Sequence, residues 1–333
     1  MGKGSQVAAR FEMSDDDFYD VVYVVEPNYA GWRLDLYLCE KIQRLSRTRA
    51  QFLIKHRVQC EKSLKPSTSV YPGLTFSLRR KVLEEPPTTD LPATVIYRDA
   101  DVIAVDKPAG LPMHPTARYF KETLVARLRD MTGPGEKIDP AHRIDRETSG
   151  IVVCGNRPEV TIALKAAFAD GRVHKAYLAI VEGHPDWDKC TIDAPLAVGG
   201  AVVRIKVEVN RAAGKEAVTD AECVARFDGP DGAPFSIIRA RPRTGRQHQI
   251  RAHLSHVGFP LVGDKIYGPD ENYFVRFTEH ALDDAARARL RLPRHALHAA
   301  ELELVHPTTK KILKIESPLP EDLSGFVATL KKR

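Results

Sequence analysis

The sequence predicts two α+β domains, a small one followed by a larger one built around a mixed or antiparallel sheet. A chain of 333 residues, 43% of them apolar and 28% charged, is long enough for two ordinary hydrophobic cores. Strand-like and helix-like segments do not alternate regularly, which argues against a doubly wound parallel sheet. The stretch 84–92 contains three prolines in nine residues, a composition typical of a linker.

Positive charge is concentrated in one block of the chain. Residues 1–30 carry two basic and six acidic side chains, whereas residues 31–81 carry twelve basic and three acidic ones. The remaining residues are almost balanced, so the net charge of +6 originates in a segment of about fifty residues. A concentrated positive field of this kind favours a polyanionic partner such as RNA.

We interpret residues 1–30 as an acidic N-terminal extension and residues 31–82 as a small basic domain. Leu34, Leu38 and Ile42 recur at i, i+4 and i+8, which predicts a short amphipathic helix at the start of this domain. Short strands with turns at Lys65-Pro66 and Pro72-Gly73 are expected to complete it.

A second helix of the basic domain is predicted after Ser46, whose side chain is a favourable N-cap. Ala50, Leu53 and Ile54 then fall on one side of the helix and are expected to face the core. Four basic side chains remain available to solvent or to RNA: Arg47, Arg49, Lys55 and Arg57.

We assign residues 83–93 to a Pro-rich linker and residues 94–333 to a catalytic domain. The segment 95–110 has the pattern of a strand hairpin. The polar, charged segment 269–294 is interpreted as a surface excursion. Helical periodicity is found in three further segments, 123–130, 159–170 and 248–258.

The densest group of charged residues is the stretch 141–150, which runs into the apolar residues 151–153. Asp145 lies between Arg143 and Arg146, and nearby cations lower the pKa of a carboxylate by about 1 to 3. An ionised carboxylate at the edge of a core is a candidate nucleophile. A structural salt-bridge loop is the alternative interpretation of the same pattern.

A second charged group lies in residues 241–256, where a turn at Thr244-Gly245 precedes a polar helix. Its Arg246, His248, Arg251 and His253 are candidates for binding phosphates near the N-terminus of that helix. A metal site is not predicted, because the histidines lack the i, i+4 spacing of a helical zinc pair and no H-E-x-x-H motif occurs. The sequence also lacks G-x-S-x-G, P-loop and G-x-G-x-x-G motifs.

The stretch HRIDRETSGIVV, residues 142–153, strongly resembles the catalytic loop of the RluA-type pseudouridine synthases, usually written HRLDxxTSG. Six further family motifs, one before this loop and five after it, occur in family order within residues 95–318. They are DKPAGL (106–111), HKAYLA (174–179), GKEA (214–217), TGRQHQIRAH (244–253), GFPLVGD (258–264) and LHA (297–299).

The basic block resembles the alpha-L RNA-binding domain, a module first named from a small-subunit ribosomal protein. Many members of this synthase family carry that module ahead of the catalytic domain. Departures from the family pattern are mild. Ile144 replaces Leu, Phe259 replaces the common His, and the segment 269–294 is longer than in the shortest members.

The resemblance implies an isomerase that breaks the N1–C1′ bond of a uridine in RNA and joins C5 to C1′. By this resemblance Asp145 is the catalytic carboxylate and Arg251 the cation paired with it. Tyr177 is expected to lie against the uracil ring. Because the reaction gains and loses no group, no cofactor and no metal are expected. Further contacts to the uridine or the RNA are assigned to Arg143, His142, Arg246 and His248, with His142 also expected to support the loop.

The expected partner is RNA, with large-subunit ribosomal RNA as first choice and transfer RNA as second. We expect a monomer in the cytoplasm. Five widely spaced cysteines without a C-x-x-C pair favour reduced thiols, and no apolar run is long enough for a membrane span. Two alternatives stay open: a catalytically inactive RNA-binding or ribosome-assembly protein on the same scaffold, and an unrelated hydrolase that uses His248 and an aspartate.

Overall fold

The computed structural model describes residues 11–13, 18–42, 45–81, 88–116, 119, 121–133, 137–200 and 202–333. The chain divides into two compact units, Met1–Glu84 and Glu85–Arg333. Residues 1–10 and 14–17 of the predicted extension 1–30, and residues 83–87 of the predicted linker, lie outside the described residues. Residues 18–30 are not a separate extension, because a strand at Phe18–Val24 pairs with Thr75–Lys81 within the smaller unit. Residues 89–93 belong to the larger unit, where Arg127 donates hydrogen bonds of 2.7 Å to the carbonyl oxygens of Thr89 and Leu91.

The smaller unit packs two helices against a four-stranded antiparallel sheet with the strand order β1-β2-β4-β3. The helices are the two that the sequence predicts. The elements are β1 (Phe11–Met13), β2 (Phe18–Val24), α1 (Leu34–Lys41), α2 (Arg47–Arg57), β3 (Val58–Gln59) and β4 (Thr75–Lys81).

Helix α2 begins where the sequence predicts it, because the Ser46 side chain accepts a hydrogen bond from the backbone N–H of Arg49. Its residues Ala50 and Ile54 are buried. They pack in one core with Leu34 and Leu38 of α1. Burial of these apolar residues supplies most of the stability of helices this short.

The described residues of the larger unit form eleven strands in one sheet, a two-stranded sheet and six helices. Its elements are β5 (Thr94–Arg98), β6 (Val102–Lys107), α3 (Leu124–Asp130), β7 (Asp139–Pro140), β8 (Ser149–Gly155), α4 (Pro158–Ala169), β9 (His174–Glu182), β10 (Lys189–Asp193), β11 (Leu196–Val198), β12 (Val207–Val209), β13 (Val218–Asp228), β14 (Pro234–Pro242), α5 (Gln249–His256), α6 (Asn272–Thr278), α7 (Asp284–Leu290), β15 (Leu297–Val305), β16 (Ile312–Glu316), α8 (Glu321–Ala328) and β17 (Lys331–Lys332).

The main sheet has the strand order β10-β13-β14-β9-β15-β8-β6-β5. Only the pairing of β15 with β8 is parallel among the described strands, with His298 opposite Ser149. All other pairs are antiparallel. The predicted α+β class with a mixed sheet is therefore confirmed. The predicted hairpin is formed by β5 and β6, and the three predicted helices are α3, α4 and α5.

Strand β8 is buried on both faces, because a helix covers each side of this part of the sheet. Val152 and Cys154 pack in a core that includes Leu124 and Leu128 of α3. Ile151 and Val153 point to the other side, into a core that includes Val160 and Leu164 of α4. This rigid strand directly follows the loop that carries Asp145.

The segment 269–294 is only partly the surface excursion that the sequence predicts. None of the residues of α6 is fully buried. In contrast, Leu282, Ala286 and Leu290 in and before α7 form a small core of their own. This core is hard to recognise in the sequence, because its few apolar residues belong to one short helix and are surrounded by polar and charged residues. No helix in the described ranges is long and apolar enough to cross a membrane.

Candidate active site

The loop that carries Asp145 is fixed at its far end by a close approach of two strands. Gly150, at the start of β8, has φ +110°, a conformation that favours glycine. A Cβ atom at this position would lie 2.3 Å from the carbonyl oxygen of Ala299 in β15. Glycine is therefore required here, because it lets the end of the Asp145 loop approach the backbone of β15 closely.

The same loop also contacts Lys107, a lysine that is fully buried at the end of β6. Its ammonium donates three hydrogen bonds, to the carbonyl oxygens of Pro108 at 2.8 Å, Leu111 at 3.0 Å and Arg146 at 3.0 Å. Burial, together with the nearby Arg294, lowers the pKa of Lys107 to about 7. Lys107 thus ties the turn after β6 to the residue following Asp145.

The turn before α5 is organised by the side chain of Gln249. Its oxygen accepts hydrogen bonds from the Thr244 hydroxyl at 2.7 Å and from the Arg246 backbone N–H at 3.0 Å. Its amide donates to the Val218 carbonyl at 2.9 Å. His248 adopts the left-handed conformation, φ 54°, directly before the helix. These constraints direct the next turn of α5, including Arg251, into the interior.

Arg251 joins two carboxylates that lie 119 residues apart in the chain. Its Nη1 donates to Asp145 Oδ2 at 2.9 Å. Its Nε and Nη2 form a bidentate pair with Asp264 at 2.7 and 2.9 Å. Arg251 is 4% exposed and Asp264 is fully buried. Asp264 also accepts the backbone N–H groups of Ile266 and Tyr267, so its charge is fully coordinated.

This arrangement keeps Asp145 ionised. Burial on its own would raise the pKa of Asp145, but the charge and the hydrogen bond of the Arg251 guanidinium lower it below its ordinary value. The Asp145 side chain keeps 21% of its surface exposed to the cleft. A carboxylate that is charged, fixed on one side and open on the other is able to act on a bound substrate as a nucleophile or a base.

His248 is a neutral neighbour of this pair. Its Nε2 lies 3.9 Å from Asp145 Oδ2, and its Nδ1 lies 3.1 Å from the Tyr267 hydroxyl. Burial and the Arg251 charge lower the pKa of His248 to about 4. The Tyr267 ring also lies under the Arg251 guanidinium, 5.1 Å from ring centroid to Cζ. His248 therefore adds packing and a dipole beside Asp145 and carries no charge near neutral pH.

Tyr177, in β9, lines the same cleft as Asp145. Burial and the Asp145 charge raise the pKa of the Tyr177 hydroxyl well above its ordinary value. The hydroxyl consequently stays protonated near neutral pH. Within the described part of the chain it makes no hydrogen bond, so it is available to a ligand.

The cleft opens between the Asp145 loop, strand β9 and the turn before α5. Arg143 and Arg246 are exposed, and Arg246 lines the cleft. The residues that line it are Ile144, Asp145, Thr148, Lys175, Tyr177, Pro242, Thr244, Gly245, Arg246, His248, Gln249, Ile250, Arg251 and Leu297.

Two histidines expected from the sequence to contact substrate are placed elsewhere. The His142 ring stacks on Phe168 of α4, 4.3 Å between ring centroids, and its Nε2 accepts the backbone N–H of Val153. His142 therefore supports the loop and does not line the cleft. His253 is fully buried, with both ring nitrogens hydrogen-bonded to Thr219 and to the Ala194 carbonyl, so its predicted phosphate contact is wrong.

A second group of charges beside Asp145 was not anticipated from the sequence. Lys265 forms a 3.0 Å ion pair with Glu147 and lies 4.6 Å from the centroid of the Phe277 ring in α6. His295 lies 3.7 Å from Glu147 and 2.7 Å from the Thr148 hydroxyl. The only signal in the sequence was the conspicuous charge of residues 145–147. Among the described residues, no group of three or more His, Cys, Asp or Glu side chains is placed to hold a metal ion.

The basic side chains of α2 lie at the surface of the smaller unit. Arg47 forms a 3.2 Å ion pair with the buried Asp35, yet half of its side chain is exposed. Arg49 lies over the exposed Phe52 ring, 4.9 Å from Cζ to the centroid. Lys55 is exposed and Arg57 is half-buried. Asp35 was not singled out in the sequence, because a single acidic residue in a basic block gives no sign that it is buried.

Comparisons with known proteins agree with this fold and site. The model of the family described as RNA pseudouridylate synthase matches residues 101–256. Ribosomal large subunit pseudouridine synthase D of Zymomonas mobilis is 34% identical over 310 residues, which cover 88% of this chain and 92% of that protein. The protein of the same name from Pseudomonas aeruginosa is 34% identical over 309 residues, covering 91% and 93%.

A solved structure shows the same likeness. Human RNA pseudouridylate synthase domain containing 1 superimposes with a TM-score of 0.57 at 26% identity, over 74% of this chain and 91% of that one. The fold and the comparisons together define an RNA-modifying isomerase. The chain belongs to the RNA pseudouridylate synthase family and converts uridine in RNA to pseudouridine. The resemblance to the RluA-type synthases is thereby confirmed.

Proposed function

We propose that this enzyme modifies uridines of large-subunit ribosomal RNA and that Asp145 is its catalytic carboxylate. The observation that carries the second part is the position of Asp145, which is kept ionised by its contact with Arg251 and lines the same cleft as Tyr177. The names of the relatives from Zymomonas mobilis and Pseudomonas aeruginosa support the choice of RNA.

In this mechanism the uridine leaves its stack in the RNA and enters the cleft, because C1′ is inaccessible within a stack. The N1–C1′ bond breaks, the uracil turns, and a C5–C1′ bond forms. C5 then loses a proton and N1 gains one, so the atoms balance within one nucleotide. Asp145 acts in its ionised form, whether it attacks C1′ or removes a proton from the sugar.

Tyr177 supplies a flat apolar face against the uracil ring. Its hydroxyl, which stays protonated, donates a hydrogen bond and relays the C5 proton while passing on its own. Arg251 stabilises the charge of Asp145 and orients it. Arg143 and Arg246, exposed beside the cleft, bind RNA phosphates, and so do Arg49 and Lys55 on α2.

The test is a comparison of pseudouridine maps of ribosomal and transfer RNA from cells with and without the gene, followed by treatment of unmodified RNA with the purified protein. We expect sites in large-subunit ribosomal RNA that vanish without the gene and return with the protein. Asp145→Asn should restore none of them. Sites confined to transfer RNA would refute the proposed target, and full restoration by Asp145→Asn would refute the catalytic assignment.

A further inference from the structure

Lys175 is a half-buried lysine in β9 that the mechanism does not use. It lies two residues before Tyr177 and lines the same cleft, as the two-residue repeat of a strand requires. Pro242, Gly245 and Arg246 line the cleft with it. Burial lowers the pKa of Lys175, as expected for an ammonium removed from water without a compensating partner.

The Lys175 ammonium has no hydrogen bond and no carboxylate within ion-pair distance among the described residues. The same holds, within those ranges, for the exposed side chains of Arg143 and Lys165. Desolvation and these two cations lower the pKa of His114, against an opposing effect of Asp139. Desolvation, and to a smaller extent the charge of Lys175, also lower the pKa of His142. Positive charge from Arg143, Lys165 and Lys175 is therefore felt at His114 and His142.

Three arginines in and directly after β14 are compensated. Arg239, Arg241 and Arg243 each pair with a carboxylate, at 3.3, 3.1 and 2.7 Å respectively. These three arginines alternate with carboxylates, as ordinary protein surfaces do. Asp145 lines the same cleft, but no carboxylate among the described residues lies within ion-pair distance of Lys175, so its ammonium is available to an anion supplied by the substrate.

We propose that Lys175 is a substrate-binding residue whose ammonium takes a phosphate oxygen of the RNA strand next to the target uridine. The inference rests on the proposed function, because it presumes that the uridine enters this cleft. A lysine suits the task because its compact charge on a flexible stem follows a phosphate at the cleft mouth. Arg143, next to Ile144 of the cleft lining, is available to a neighbouring phosphate.

The first test compares Lys175→Met and Lys175→Arg with the wild-type enzyme. The probe is a synthetic hairpin RNA with the target uridine in its loop, copied from the ribosomal RNA segment that the wild type modifies. We expect Lys175→Met to raise the Kd about tenfold and to lower the slope of log Kd against log salt by about one. Lys175→Met should change the affinity far more than the turnover at saturating RNA, and Lys175→Arg should keep most of the affinity.

Lys189→Met is the matched control, because Lys189 is 79% exposed in β10, pairs with Glu222 and is absent from the cleft lining. It should leave Kd and turnover unchanged. Since Lys175 makes no hydrogen bond within the described residues, Lys175→Met should unfold at the same temperature as the wild type or above it. An equal loss of affinity in both lysine variants would overturn the assignment.

The second test identifies the phosphate. In a series of hairpins, each phosphate within two nucleotides of the uridine is replaced in turn by a neutral methylphosphonate. At one position the replacement should weaken wild-type binding about tenfold and have no further effect on Lys175→Met. If no position shows this coupling, or if Lys175→Met lowers turnover at saturation instead of affinity, the phosphate assignment is wrong.

The two proposals fail in distinguishable ways. If the wild type modifies only transfer RNA, the ribosomal target is refuted and the Lys175 test is made on a hairpin from that RNA. If the wild type modifies the hairpin and Lys175→Met binds it equally well, the present inference is refuted alone. If the wild type modifies no RNA, both are refuted.

Discussion

Asp145 and Asp264 share one guanidinium, with Arg251 giving one N–H to the first and two to the second. The two carboxylates have different environments. Asp264 is fully buried and coordinated on both oxygens, whereas Asp145 is open to the cleft. Asp264 therefore fixes the position of the guanidinium, and the guanidinium in turn orients Asp145 and keeps it ionised. Because the three residues have different roles, their substitutions should have different effects.

Asp145→Asn should reduce pseudouridine formation below detection, because an amide is neither a carboxylate nucleophile nor a base. RNA affinity should stay within a few fold, since it depends on cations elsewhere. Tritium release from C5-labelled uridine RNA measures the reaction, and filter binding measures the affinity. The exposed Asp186→Asn serves as control and should behave as wild type. Appreciable turnover by a correctly folded Asp145→Asn would contradict the proposed mechanism.

Arg251→Met should destabilise the protein as well as inactivate it, because the buried Asp264 loses its partner. Breaking a buried ion pair in this way costs about 3 to 5 kcal/mol in the free energy of unfolding. Urea denaturation measures this loss. The double variant Arg251→Met/Asp264→Leu should recover part of the stability without recovering activity. A single variant as stable as wild type would show that the pair contributes little.

Tyr177→Phe keeps the ring and removes only the hydroxyl. We expect affinity for RNA to be preserved and turnover to fall, because stacking is retained while the proton relay is lost. In the wild type the raised pKa of Tyr177 predicts no loss of activity from its ionisation between pH 6 and 9. Single-turnover rates across this range decide the question. A rate that falls above pH 8 in wild type but not in Tyr177→Phe would contradict the protonated state.

Stability should decrease as pH falls below about 6.5, the ordinary value for histidine. Burial lowers the pKa of His142 to about 3, of His248 to about 4 and of His295 to about 3. The unfolded chain therefore binds protons between these values and pH 6.5 while the folded protein does not, which favours unfolding. At pH 5 the loss is on the order of 1–2 kcal/mol for each histidine.

Thermal unfolding at pH 7.5, 6.5 and 5.0 measures this effect. His142→Gln provides the comparison, since the Gln amide oxygen can accept the Val153 N–H but does not titrate. Its unfolding temperature should depend less on pH than that of the wild type. An identical pH dependence would show that His142 is not neutral in the folded protein.

The basic helix α2 should contribute sequence-independent affinity. Arg49→Gln/Lys55→Gln, in the full chain, is expected to weaken RNA binding and to lower its salt dependence, because fewer counterions are released. Arg172→Gln is a matched control, since Arg172 is exposed in the larger unit and paired with Asp170. Filter binding at several salt concentrations tests this. Unchanged affinity and slope in the double variant would refute an RNA-binding role for this helix.

Local patterns in the sequence predicted the local structure well. Ser46 begins a helix because the cap is a local interaction, and the spacing of Ala50 and Ile54 predicted their burial. The pair of Asp145 with Arg251 was anticipated only through the resemblance to a family. Spacing along the chain carries no information about two residues brought together by the sheet.

Burial of charge was the property that the sequence did not reveal. In the sequence Asp264 and Lys107 are only members of family motifs, and the structure shows each of them buried with a full set of hydrogen-bond partners. His253 was expected to bind phosphate because a histidine in a polar helix has the same pattern whether it faces solvent or a buried acceptor. These partners come from distant strands and turns, so no local pattern contains them.

The position of β15 between β9 and β8 bears on how the enzyme is made. Asp145 is translated about 150 residues before β15 (Leu297–Val305), the strand against which Gly150 closes. At about 5–20 residues per second, the ribosome needs roughly 8–30 s to cover that interval. During this time the nascent chain lacks the strand against which the end of the Asp145 loop packs. Each newly synthesised molecule therefore stays inactive until nearly its whole chain has been translated.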